Sequence, residues 1–191
     1  LISKRVIKPY QFILIAMLLF VLDFSFTAYF ISTESHLVSE ANPLIYTFQG
    51  FFVLIINLVY LIIIYVTSRY VYRYNTINIV AENTIEYTKK LFLSDHHQFI
   101  LISVFYAFII STLVTRSFII FEWLLFGILK ETFFISPYYY LREIMPMRRF
   151  DVFVLGISFI LCLIYWYNQQ FKLSRLYFNH FKKTLFINIK S

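Results

Sequence analysis

Charge is scarce in this chain. Asp, Glu, Lys and Arg make up 14% of its 191 residues, where a soluble domain carries about 25%. Glycine and proline are scarcer still, with three and four copies. So few breakers argue against a loop-rich fold, and against a β-barrel, which needs many short alternating strands separated by turns. Three glycines also exclude a Gly-rich phosphate cradle; there is no Walker loop, no G-x-S-x-G and no H-E-x-x-H. Cys162 is the single cysteine. An intrachain disulfide and a Cys-built metal site are therefore excluded.

Apolar residues are abundant: 60% are hydrophobic and 22% aromatic, with 24 Phe and 16 Tyr. One water-soluble core cannot hide that much apolar surface, so a bilayer is the natural solvent. The long unbroken apolar runs predict an all-α fold, a polytopic transmembrane bundle of about four spans over residues 11–31, 43–65, 99–126 and 152–169. The whole chain, 1–191, reads as one integral membrane domain. Lys4, Arg5 and Lys8 precede the first run as in a signal peptide, but the run is too long and lacks a small-x-small cleavage site. It is expected to stay as a helix.

Basic residues orient the spans. The N-terminal segment holds Lys4, Arg5 and Lys8, and the first connection holds none. The second holds Arg69, Arg73, Lys89 and Lys90, and the third Lys130, Arg142, Arg148 and Arg149. The tail holds Lys172, Arg175, Lys182, Lys183 and Lys190. The positive-inside rule then favours a multi-pass cell-membrane protein with both termini cytoplasmic. Residues 127–151 are the weak point of that topology, because they would lie outside with Arg148 and Arg149. The formal charge of +7 reads as topology and attraction to anionic lipid, not as nucleic-acid binding. Residues 70–95 are expected to form a cytoplasmic helical segment, with Glu86 and Lys90 at i,i+4. Residues 170–190 are expected to form a basic amphipathic helix, either lying on a leaflet or simply prolonging span four.

The chemistry worth weighing is a cluster of polar residues at one level of the membrane: Asp23, Thr27, Glu40, Asn42 and Arg116. An intramembrane carboxylate demands a partner or a purpose. Depth arithmetic makes Arg116 the expected partner of Asp23, with snorkelling of Arg116 and a proton or ion path as the other readings. Asn42-Pro43 reads more simply as a helix start, with Asn as N-cap and Pro at the first helical position. Asn57 reads as an interhelical hydrogen-bonding group. His36, His96, His97 and His180 all lie away from mid-span. Facing haem ligands are therefore not expected, nor is any other cofactor or metal.

Asp23-x3-Thr27 followed by Glu40-x-Asn42-Pro43 resembles the pattern of a family of prokaryotic membrane proteins of unknown function, over about residues 12–65. Members of that family often carry a Lys in the second helix, where this chain has Asn57. The resemblance implies a helical membrane fold and no reaction. From the residues themselves, the favoured reading is a non-catalytic accessory or scaffolding subunit, contacting lipids and either other membrane subunits or copies of itself. The alternatives are a small transporter or ion-conducting subunit using Asp23 and Arg116, and a membrane enzyme with Asp23 and Glu40 as a carboxylate pair.

Overall fold

A computed structural model describes residues 8–33, 51–94, 97–125 and 150–188. Among them there are five helices and no strand: α1 (Pro9–Thr33), α2 (Phe51–Arg73), α3 (Thr84–Leu93), α4 (His97–Trp123) and α5 (Phe150–Asn188). All but α3 are long and apolar enough to cross a membrane. The chain is thus an all-α membrane bundle.

Two of the helices start for a local reason that is visible. Pro9 opens α1, where its missing N–H is not needed. Gln11 returns its side-chain oxygen to the Lys8 N–H at 2.8 Å. Asn83, in extended conformation, caps α3 by accepting the Glu86 N–H at 2.9 Å. The Glu86 carboxylate accepts the Glu82 N–H at 2.8 Å in return. This is close to a capping box, displaced by one residue on the return arm.

The first, second and fourth spans run past their expected ends, whereas the third, expected to 126, is α-helical to Trp123. The second reaches Arg73 rather than Tyr65, carrying Arg69 with it; residues 43–50 lie outside the described set. The expected helical segment 70–95 is instead the end of α2, an irregular stretch over 74–83, and α3. Span four and the basic tail are one helix of 39 residues. At 1.5 Å per residue that is about 58 Å, nearly twice the ~30 Å hydrocarbon layer, so α5 must project well beyond it.

α4 is the hub. It packs against α1, α2, α3 and α5, and α1 also packs against α2. Ser103, Ala107, Ser111 and Thr115 form a buried stripe of small residues along it, the kind of surface that lets helix backbones approach closely. Ser103, Ser111 and Thr115 return their hydroxyls to the preceding turn of α4, so the stripe buries no idle donor. α5 runs antiparallel to α4, with Trp166 against Tyr106 at 4.5 Å between ring centroids and Tyr167 against Phe99 at 5.4 Å.

The start of α1, the end of α2, the start of α4 and residues 166–171 of α5 meet at one end. Phe12, Ala16, Val71, Phe99 and Trp166 belong to one buried core there, together with Tyr87 and Leu91 of α3. This end also presents the exposed bases Lys8, Arg69, Arg73, Lys89, Lys90, Lys172 and Arg175, and is called the basic end below.

Candidate functional site: a charged clasp between three spans

The site is built from one residue on each of three helices. Counted from the basic end, Asp23 lies 14 residues into α1, Asn57 lies 16 residues back from the end of α2, and Arg116 lies 19 residues into α4. The axial rise of a helix puts these Cα atoms roughly 21, 24 and 28 Å up. Arg116 starts highest, and its long side chain reaches back toward the other two.

Arg116 Nη1 lies 3.6 Å from Asp23 Oδ2. Its Nη2 donates to Asn57 Oδ1 in a short contact. The Asn57 amide nitrogen donates to the Val53 carbonyl at 2.8 Å, which fixes the amide so that its oxygen faces the guanidinium. The guanidinium also sits over the Tyr60 ring at 4.8 Å and the Phe20 ring at 6.0 Å. Two aromatic faces, an amide oxygen and a carboxylate thus surround one cation. This environment replaces much of what water would have supplied.

Asn57 is buried, and about a fifth of the Arg116 and Asp23 side chains stays accessible. A separation of 3.6 Å is an ion pair without the close bidentate geometry that would make it strong. Arg116 is thus shared between Asp23 and Asn57. The Tyr60 hydroxyl is buried beside Thr112 and Arg116 but closes no direct hydrogen bond.

Of the residues singled out from the sequence, the structure brings Asp23 and Arg116 together and buries Thr27 one turn beyond Asp23. Glu40 and Asn42 lie outside the described residues, as does His36. Asn57 does have an interhelical partner, Arg116. Tyr60 and Phe20 were not signalled. Their contact with Arg116 depends on the rotational phase of α1 and α2 around α4, which spacing along one helix does not encode. Among the described residues no three His, Cys, Asp or Glu side chains converge as a metal site would require.

A second ordered region lies at the basic end. The Ser174 hydroxyl, on α5, accepts the Ile79 N–H and donates to the Ile79 carbonyl, both at 3.1 Å. Thr76 donates to Gln170 Oε1 at 2.8 Å, and Thr84 to Asn168 Oδ1 at 3.2 Å. Tyr87, fully buried, donates to the Ile77 carbonyl at 2.9 Å and packs on Phe99 and Phe171. Burial pushes the Tyr87 hydroxyl pKa well up, so it stays a donor. Ile77 and Ile79 of this irregular stretch thereby have backbone groups satisfied by side chains.

Comparison with family models, curated proteins and solved structures finds no match to this chain.

Proposed function

We propose that this chain is a non-catalytic accessory or scaffolding subunit of a larger assembly in the cell membrane, with both ends on the cytoplasmic side. The observation that carries this reading is the uneven covering of the spans. Of the most apolar stretch of α4, 44% of residues are buried within the chain; for α5 the figure is 6%. α5 leans on α4 and α3 and leaves Ile160, Leu161, Ile164 and Tyr165 outward. Gly156 is open, with no atom within 4 Å of where a Cβ would sit, so another helix has room to approach α5 there. A face this bare, large apolar side chains beside one open glycine, suits a protein neighbour as well as lipid. The motif resemblance over residues 12–65 is compatible with this reading and adds no reaction to it.

The test is native mass spectrometry of the chain extracted in nanodiscs from its own membrane. A fixed stoichiometry with itself or another subunit is expected, with an interface of at least ~1,000 Å². A strictly monomeric particle with an activity of its own would overturn the proposal. Impermeant thiol labelling of His36→Cys and Glu82→Cys, each in a Cys162→Ser background, tests the orientation. The two positions should react from opposite sides.

One observation favours a second reading, ion or proton conduction. The Asp23–Arg116 contact is loose at 3.6 Å and partly accessible, as a pair that exchanges partners would be. Proteoliposome flux that disappears in Asp23→Asn, with the fold intact, would promote it.

A further inference from the structure

We propose that α3 is an interfacial helix, docked sideways into the anionic phospholipid headgroups of the leaflet at the basic end. The direction of α3 is the first observation. Thr84, its first residue, meets Asn168 of α5, and Phe92, eight residues later, meets Tyr167. Eight residues of helix span about 12 Å, yet both ends touch α5 at adjacent residues. α3 therefore runs across α5, in the plane of a membrane that α5 crosses.

Its level is the second observation. α2 ends at Arg73, α4 begins at His97, and α5 passes Asn168, Gln169 and Gln170 at this height. Three spans thus change from apolar to polar where α3 lies.

The third observation is which side faces the lipid. Ile79 is bonded to Ser174, about 9 Å further out along α5 than Asn168. Residues 79–82 therefore approach α3 from outside the membrane. Glu86 and Lys90 point back to them, Glu86 accepting from Glu82 and Lys90 donating to the Val80 carbonyl at 2.9 Å. The opposite flank, carrying Thr84 and Phe92, is the membrane side. Ile85, 81% exposed, and Phe92, 50% exposed, stand on or next to that flank. At the acyl boundary the exposure of Ile85 and Phe92 becomes burial. Lys89 lies between them on the outward face and is exposed. A Lys in that position reaches headgroup phosphates while its stem stays among chains. Arg69, Arg73, Lys172 and Arg175 add exposed positive charge at the same end. Among the described residues two carboxylates lie near, and one of them, Glu86, is already held by Lys90 at 2.6 Å.

The experiment uses the full chain in nanodiscs of phosphatidylcholine, with and without phosphatidylglycerol. In a Cys162→Ser background, Ile85→Cys and Glu82→Cys are each labelled with bimane. Quenching by nitroxide lipid should be several-fold greater at position 85 than at position 82, and quenching by aqueous iodide should show the reverse order. Equal iodide access at the two positions overturns the proposal. So does shielding of position 85 from both quenchers, which would mean that protein covers α3. For the charge component, phosphatidylglycerol should raise the thermal midpoint of the parent, and Lys89→Gln should reduce that shift. If phosphatidylglycerol gives no shift, or the shift is unchanged in Lys89→Gln, Lys89 is not a headgroup ligand and the anionic part of the proposal fails.

Discussion

The two ordered regions of this bundle hold their polar groups by opposite means. At the basic end, the Ser174 hydroxyl of α5 satisfies the backbone of Ile79, Gln170 and Asn168 accept from the Thr76 and Thr84 hydroxyls, and interlocked aromatic rings fill the space between. Near the other side, one guanidinium is shared among a carboxylate, an amide and two rings drawn from α1 and α2. The first region is fully buried at Tyr87, Phe99 and Ser174. The second retains access at both charges. Dense packing tolerates loss of volume badly. A shared cation with several partners tolerates the loss of one partner, but not its own removal.

Tyr87→Ala should therefore be the most damaging single change. It empties a fully buried site and removes the hydrogen bond to Ile77. Truncation of a buried aromatic costs about 3–5 kcal/mol, whereas Tyr87→Phe gives up only the hydrogen bond, about 0.5–1.5 kcal/mol. Thermal unfolding in detergent, followed by helicity, distinguishes the two. Equal losses would show that ring packing does not anchor the basic end.

The clasp sets the next largest effect. Arg116→Ala removes the cation beside Asp23 inside a span and takes from Asn57 its interhelical partner. Breaking a buried pair costs about 3–5 kcal/mol, and the partial access here puts the expected loss at the lower end. Asp23→Asn should cost less, because Arg116 keeps Asn57, Tyr60 and Phe20. Asn57→Leu should fall near the intramembrane average of about 0.6 kcal/mol, up to roughly 1.7. Thermal midpoints of the three variants in one detergent give the ranking. If Asp23→Asn destabilises more than Arg116→Ala, the carboxylate and not the cation is the centre of the cluster.

These contrasts also explain what the sequence made legible. The spans were readable because an apolar run long enough to cross a bilayer has few other uses. Their ends were less so. α2 continues through Arg69 because the arginine is long enough to stay exposed while its guanidinium sits over the Tyr65 ring at 5.6 Å. α5 passes straight through Asn168-Gln169-Gln170 into the basic tail because no Gly or Pro interrupts it. The meeting of Asp23 with Arg116 followed from counting depth along two helices. The fastening of residues 74–83 to α5 did not, because Ser174 and Ile79 are 95 residues apart and no local pattern marks either. The Glu86–Lys90 pair was legible from its spacing, whereas the transverse course of α3 depends on those distant contacts.

The smallest expected effect lies at the head of α3 and depends on pH. The Lys90 ammonium, first, and the Glu82 N–H, second, hold the Glu86 carboxyl below its ordinary value of 4.5. A carboxyl whose folded-state pKa is depressed contributes stability that is fully present above the unfolded value and is lost as pH falls through the folded value. The helix start should thus be intact at neutral pH and loosen only below about pH 4.5. Glu86→Gln should remove that acid dependence while leaving the Asn83 cap in place, since the cap uses the backbone N–H of residue 86. Amide exchange of residues 84–88, compared between pH 6 and pH 4 for parent and variant, reads the difference. The parent should exchange faster at the lower pH than intrinsic chemistry requires, and the variant should not. An acid effect confined to α3 would therefore separate the two regions by their chemistry; acid sensitivity that spreads equally to α1 and α4 would mean that they fold and open as one unit.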